Sequence, residues 1–159
     1  MVTLLMDTSN TNLSIGLAKD HKGVDSICYE AWQKQSEFLV LELDAILKRN
    51  NLSRKDIDMV ISAKGPGSYT GVRIALTVAK VVAFALNVPL YLVSSLEALK
   101  DGNVPSICLM NARSKRSYIG VYDRETIIME DKIMGNAEVM DYIQKHPEYK
   151  VNFDELNAS

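Results

Sequence analysis

Two cysteines in 159 residues, Cys28 and Cys108, are too few and too far apart for a disulfide framework, and neither belongs to a CxxC pair that would hold zinc or run redox chemistry. Both sit in apolar stretches and are predicted to be small core residues. Histidine is equally scarce. His21 lies in a turn and His146 precedes Pro147, with no neighbour at the spacing that a metallopeptidase needs. An excess of one charge is missing too: a net charge of −2 and a pI near 5.7 exclude the broad positive field that steers proteins onto nucleic acid or anionic membranes. Any such contact must be local or supplied by a partner. No window reaches the ~20 apolar residues of a membrane span, and the first residues carry no basic leader, which predicts a cytoplasmic protein without a membrane segment. What is present is 47% hydrophobic residues, enough for a real core in a chain of this length.

The apolar pattern starts with three β-type runs, Val2–Met6, Asn12–Lys19 and Val24–Glu30, which predict an antiparallel meander. Helical and strand patterns then alternate: helix Glu37–Asn50, strand Met59–Ala63, helix Tyr69–Leu86, strand Leu90–Val93. Strands joined through helices are parallel neighbours with right-handed crossovers. Ser53 before Asp56, and Ser94 before Glu97, have capping-box spacing and predict two further short turns. The order βββαβαβα is that of a ribonuclease-H-like half-domain. The expected fold is therefore an α/β mixed sheet of the actin/hexokinase (ASKHA) type. Leu5–Leu17 aligns without a gap on Leu109–Val121, matching Leu-Met and Ile-Gly pairs, and a strand at Thr126–Lys132 and a helix at Ala137–His146 follow. A truncated second copy is expected, which places domains at residues 1–103 and 104–159, with a possible last strand at Tyr149–Phe153.

Gly65-Pro66-Gly67-Ser68-Tyr69-Thr70-Gly71-Val72-Arg73, between a strand and a helix, is the strongest local motif. Glycines allow positive φ and close backbone approach, while Ser68 or Thr70 can cap a helix whose free N–H groups would attract an anion. A phosphate loop would need Gly-Lys-Ser/Thr at the helix start, and Gly71-Val72-Arg73 stands there. A nucleophile elbow would need GxSxG around Ser68. A structural corner and a contact with an anion or partner both remain open.

This stretch resembles the bacterial TsaB (YeaZ) family, together with Met6-Asp7-Thr8-Ser9, the alanine-rich helix that follows it, Val88-Pro89-Leu90 and Val93-Ser94-Ser95-Leu96. The resemblance covers roughly residues 1–124. It implies a non-catalytic subunit, without cofactor or metal of its own, that pairs with a TsaD-like threonylcarbamoyltransferase and, through it, a TsaE-like ATPase. Such an assembly makes threonylcarbamoyladenosine beside the tRNA anticodon. A homodimer in the absence of partners and only indirect or weak contact with tRNA are implied as well. The sequence departs from the family at Gln35-Ser36, where His-Ser is common, and at Asn111, where Asp is usual. The rival reading is a phosphotransferase using Asp7-Thr8-Ser9 as a phosphate loop with Mg²⁺. Against it, the hairpin Ala112–Arg116 has no glycine with which to wrap phosphate. Arg113, Lys115 and Arg116 in that hairpin could touch tRNA phosphates or simply be solvated.

Two helices carry the predicted partner contacts. On helix Tyr69–Leu86, Gly71, Ala75, Ala79 and Ala83 recur every fourth position and would let another helix approach closely, while Arg73, Thr77 and Lys80 form a polar strip. Packing against its own sheet is the alternative. On helix Glu37–Asn50 the apolar residues fall into two arcs. Leu39, Val40, Leu43, Ile46 and Leu47 are expected to face the sheet, and Phe38, Leu41 and Ala45 a partner.

Overall fold

The protein is described here by a computed structural model covering residues 1–154. It forms two compact units, the first ending at Val93 and the second starting at Ser94. In the first, β1 (Val2–Asp7), β2 (Asn12–Lys19) and β3 (Lys22–Glu30) run antiparallel, then α1 (Gln35–Arg49), β4 (Met59–Ala63), α2 (Tyr69–Leu86) and β5 (Leu90–Val93) follow. The strand order is β3-β2-β1-β4-β5, with β1, β4 and β5 parallel. Alternation along β2 places Leu13, Ile15 and Leu17 in the core. They meet Leu4, Met6 and Val60 of the sheet, Leu39, Leu43, Ile46 and Leu47 of α1, and Ala75, Ala79 and Ala83 of α2. The Arg49 guanidinium grips Asp25 at 2.5 Å, which ties the end of α1 to β3 and holds the Asp25 carboxyl well below the usual range. Of the expected capping boxes, Ser53 donates its backbone N–H to the Asp56 carboxylate at 2.8 Å, and Ser94 Oγ accepts from Leu96 N and Glu97 N at 3.1 and 3.3 Å.

The second unit contains β6 (Ser106–Asn111), β7 (Arg116–Asp123), β8 (Thr126–Gly135), α3 (Asn136–Lys145) and β9 (Lys150–Phe153), in the order β8-β7-β6-β9. Here β6 pairs antiparallel with β7 and parallel with β9, the senses that β1 shows with β2 and β4. The boundary falls after Val93 and not after Asn103, because the short turn at Glu97–Leu99 belongs to the second unit. Leu96 is fully buried with Cys108, Met110 and Tyr122, and Ser94 Oγ donates to the Asp131 carboxylate, which also accepts from the Tyr122 hydroxyl.

The gap-free alignment of the two halves holds along β2 and β7 but slips along β1 and β6. Met6 pairs with Ile15, whereas Ile119 pairs with Leu109 and not with Met110. Six residues lie between the paired Asp7 and Ser14, and five between Asn111 and Ser117. A one-residue slip exchanges the faces of a strand. Leu4 and Met6 thus face the helices of their unit, while Ile107 and Leu109 face α3, and Cys108 and Met110 join the other side. Burial pushes the Cys108 thiol up to about 12. Cys28 is exposed on β3, contrary to the core position expected for it, because its side of that edge strand is not covered.

Candidate partner-binding surface

Helix α2 starts at Ser68, whose Oγ accepts from Gly71 N at 3.1 Å, and ends at Asn87 in the left-handed conformation. By length and composition it is apolar enough to cross a membrane. Its small residues, however, are spent on its own sheet. Gly71, Ala75, Ala79 and Ala83 are all buried, which corrects their expected place in a partner contact. The reason is close approach to β1: Thr8 Oγ1 donates to Gly71 O at 2.5 Å and accepts from Ala75 N at 3.0 Å. A Cβ on Gly71 would come within 2.2 Å of Thr8 O.

The outward side of α2 is left with Tyr69, Arg73, Thr77, Lys80, Val81 and Phe84, and Phe84 is 90% exposed. Arg73 lies over the Tyr69 ring, 5.2 Å from its centre. On α1, Leu41 is 62% exposed and Ala45 is exposed, as their predicted arc requires. Phe38 is half-buried and packs against the core, so it is not a free contact. Val40, expected on the sheet side, is 42% exposed, because at 200° from Phe38 on the helical wheel it points past the sheet toward α2. Between the helices run two apolar grooves. One is lined by Ser36, Thr70, Arg73, Ile74, Thr77 and Val78, and the other by Val40, Leu43, Arg54, Val81 and Val82 together with Thr77 and Val78. The Arg54–Asp44 pair, 2.7 Å apart, closes one side and holds the Asp44 carboxyl below its ordinary value.

The glycine motif is a corner pressed on the β1–β2 turn. Ser68 N donates to Ser9 O at 2.8 Å, and a Cβ on Gly67 would lie 2.4 Å from that oxygen. Gly67 is therefore fixed by close approach, while Gly65, at φ +95°, is the glycine that uses positive φ. Asp7, the candidate Mg²⁺ ligand of the phosphotransferase reading, accepts from Ser9 N and Ser9 Oγ at 2.8 and 2.6 Å. Sequence reasoning marked Gln35 only as a departure from the family pattern and missed what it does. Buried at the start of α1, its amide donates to Thr8 O, Asn10 O and Asn12 O at 3.3, 2.7 and 2.7 Å and clamps the turn from the other side. The sequence signal for that role is a polar residue on the buried arc of α1.

Comparison with known proteins fits this architecture. The family described as TsaD, tRNA N6-adenosine threonylcarbamoyltransferase, matches residues 19–154. The chain belongs to this family. A curated relative from Bacillus subtilis (strain 168), named tRNA threonylcarbamoyladenosine biosynthesis protein TsaB, is 31% identical over 151 residues, which cover 91% of this chain and 65% of that protein. The chain thus spans less than two thirds of that relative's length. YeaZ from Pseudomonas aeruginosa superposes with a TM-score of 0.77 at 24% identity, over 84% of this chain and 67% of its own. A ROK hexokinase from Thermus thermophilus does so at 0.51 and 13% identity, over 80% and 49%. These two show the fold, the mixed α/β arrangement of the actin/hexokinase type. The TsaB (YeaZ) resemblance drawn from Gly65–Arg73 is borne out by the curated relative.

Proposed function

We propose that the chain is a non-catalytic subunit in tRNA threonylcarbamoyladenosine biosynthesis, which holds a TsaD-like transferase against the outward side of α1 and α2. The observation that carries this reading is the apolar exposure of that side: Phe84, Val81, Leu41 and Val40 stand in solvent on helices whose small-residue face is already used by the sheet. Exposed aromatic and aliphatic anchors beside a groove are the usual centre of a protein interface. A TsaE-like ATPase, reached through the transferase in the cytoplasm, belongs to the same proposal, and a second copy of the chain would take the same face when the transferase is absent.

The non-catalytic part rests on the first turn, where a nucleotide's phosphates would sit in a kinase of this fold. Asp7 is bonded within the turn, the carbonyl groups of Thr8, Asn10 and Asn12 are held by Gln35, and Gly67 is covered by Ser9. Two measurements test the proposal. Co-purification of the full chain with the TsaD-like protein of the same genome should give a stable complex, and calorimetric titration with ATP-Mg²⁺ should give no heat of binding. Sub-millimolar ATP binding that vanishes in Asp7→Ala would favour the phosphotransferase instead.

A further inference from the structure

We propose that the tip of the β6–β7 hairpin, Arg113, Lys115 and Arg116, is an RNA-phosphate contact, resting on the reading of the chain as part of a tRNA-modifying assembly. All three side chains are exposed, and among the described residues no carboxylate pairs with any of them. Arg49, Arg54 and Arg124, by contrast, each hold an aspartate. The rest of the chain is acidic: removing these three from 18 cations leaves 15 against 20 acids, a balance of −5. Three cations thus stand within four consecutive positions of one hairpin tip, in a chain that is acidic overall.

The tip is also held firmly. Arg113, Ser114 and Lys115 are successive left-handed residues at φ 63°, 54° and 58°. Their backbone is fixed by Arg113 N to Asn111 Oδ1 at 2.8 Å, Ala112 N to Arg116 O at 3.0 Å, Arg116 N to Arg113 O at 3.1 Å and Asn136 N to Lys115 O at 2.9 Å. Cations on a fixed backbone lose less freedom when they bind. An acidic protein partner fits less well, since Ala112 is the only apolar residue between Asn111 and Ser117 and a protein interface is built around a buried apolar core. Phosphate contacts need no such anchor and carry no sequence information.

The test is fluorescence anisotropy of an unmodified tRNA transcript against the full chain, alone and with the TsaD-like transferase, over a series of salt concentrations. The variant R113Q/K115Q/R116Q should bind at least about tenfold more weakly at low salt, and its log K against log salt slope should be shallower by about 2, since each phosphate contact contributes about 0.7–0.9. K19Q/K22Q, which removes two exposed lysines at the β2–β3 turn, should change neither. If the triple variant does not fold, R113Q and R116Q singly should each reduce the slope by somewhat less than about one. Wild-type chain that binds no RNA, or variants with unchanged affinity and slope, would overturn the proposal. So would variants that lose the transferase but keep RNA, because the tip would then be a protein contact. A wild-type chain that binds RNA but never the transferase would instead refute the partner reading and leave this one standing.

Discussion

The turn after β1 and the turn after β6 stand at the same place in the same strand order, yet the chain treats them in opposite ways. The first is sealed: Gln35 takes three of its carbonyl groups, Thr8 bonds to α2, and Gly67 lies against Ser9. The second, one residue tighter, stands open: among the described residues no carboxylate pairs with Arg113, Lys115 or Arg116, and Arg113, Ser114 and Lys115 are left-handed. The first turn is a foundation for α1 and α2, and the second leaves its charged side chains in solvent.

The largest effect should come from the sealed turn. Gly67→Val places its Cβ where Ser9 O already lies, and backbone cannot yield as a side chain can, so about 3 kcal/mol or more of stability should be lost. Thermal melting should fall by roughly 6–12 °C for a chain of this size. Gln35→Leu should cost less, about 2 kcal/mol, by leaving buried carbonyl groups without their donor. Melting followed by circular dichroism checks both, and a Gln35→Leu protein as stable as wild type would mean that the clamp is ornamental. The open turn should respond with the other sign. Ser114→Gly relieves a left-handed residue at φ 54° and should raise stability by about 0.5–1 kcal/mol, a gain of roughly 1–4 °C. A loss there would show that the Ser114 side chain has a role that the fold does not reveal.

The sequence made the elements legible because their periods are clean: Leu13, Ile15 and Leu17 alternate, and Tyr69–Leu86 carries no breaker after its first turn. The register slip was hidden for a physical reason. Ser106 to Met110 are all buried, so β6 has no alternation to say which face is which, and the repeated Leu-Met pair then aligned on the wrong phase. The stripe Gly71, Ala75, Ala79 and Ala83 was ambiguous in a different way, since small residues let a helix approach either a partner or its own sheet. Only Thr8, more than 60 residues away in sequence, decides it. Gln35 stood out only as a departure from the family pattern, and its role was unreadable because its three acceptors are backbone atoms of a distant turn. Leu41 and Ala45 were legible from the helical wheel, whereas Val40 and Phe38 sit at the edges of their arcs, where about 100° per residue cannot separate sheet from groove.

The account depends most on the outward side of α1 and α2 being the docking face, and sedimentation of the chain with the TsaD-like protein of the same genome tests this proposal directly. Phe84→Glu and Leu41→Glu should each melt within about 2 °C of wild type, because both side chains already stand in solvent and surface changes are worth about 0.5 kcal/mol. Leu43→Glu, on the buried arc, should not fold. Phe84→Glu should weaken the complex by about 2 kcal/mol or more, some thirtyfold, as loss of a central aromatic anchor does. A folded Phe84→Glu chain that binds the transferase as tightly as wild type would contradict the claim.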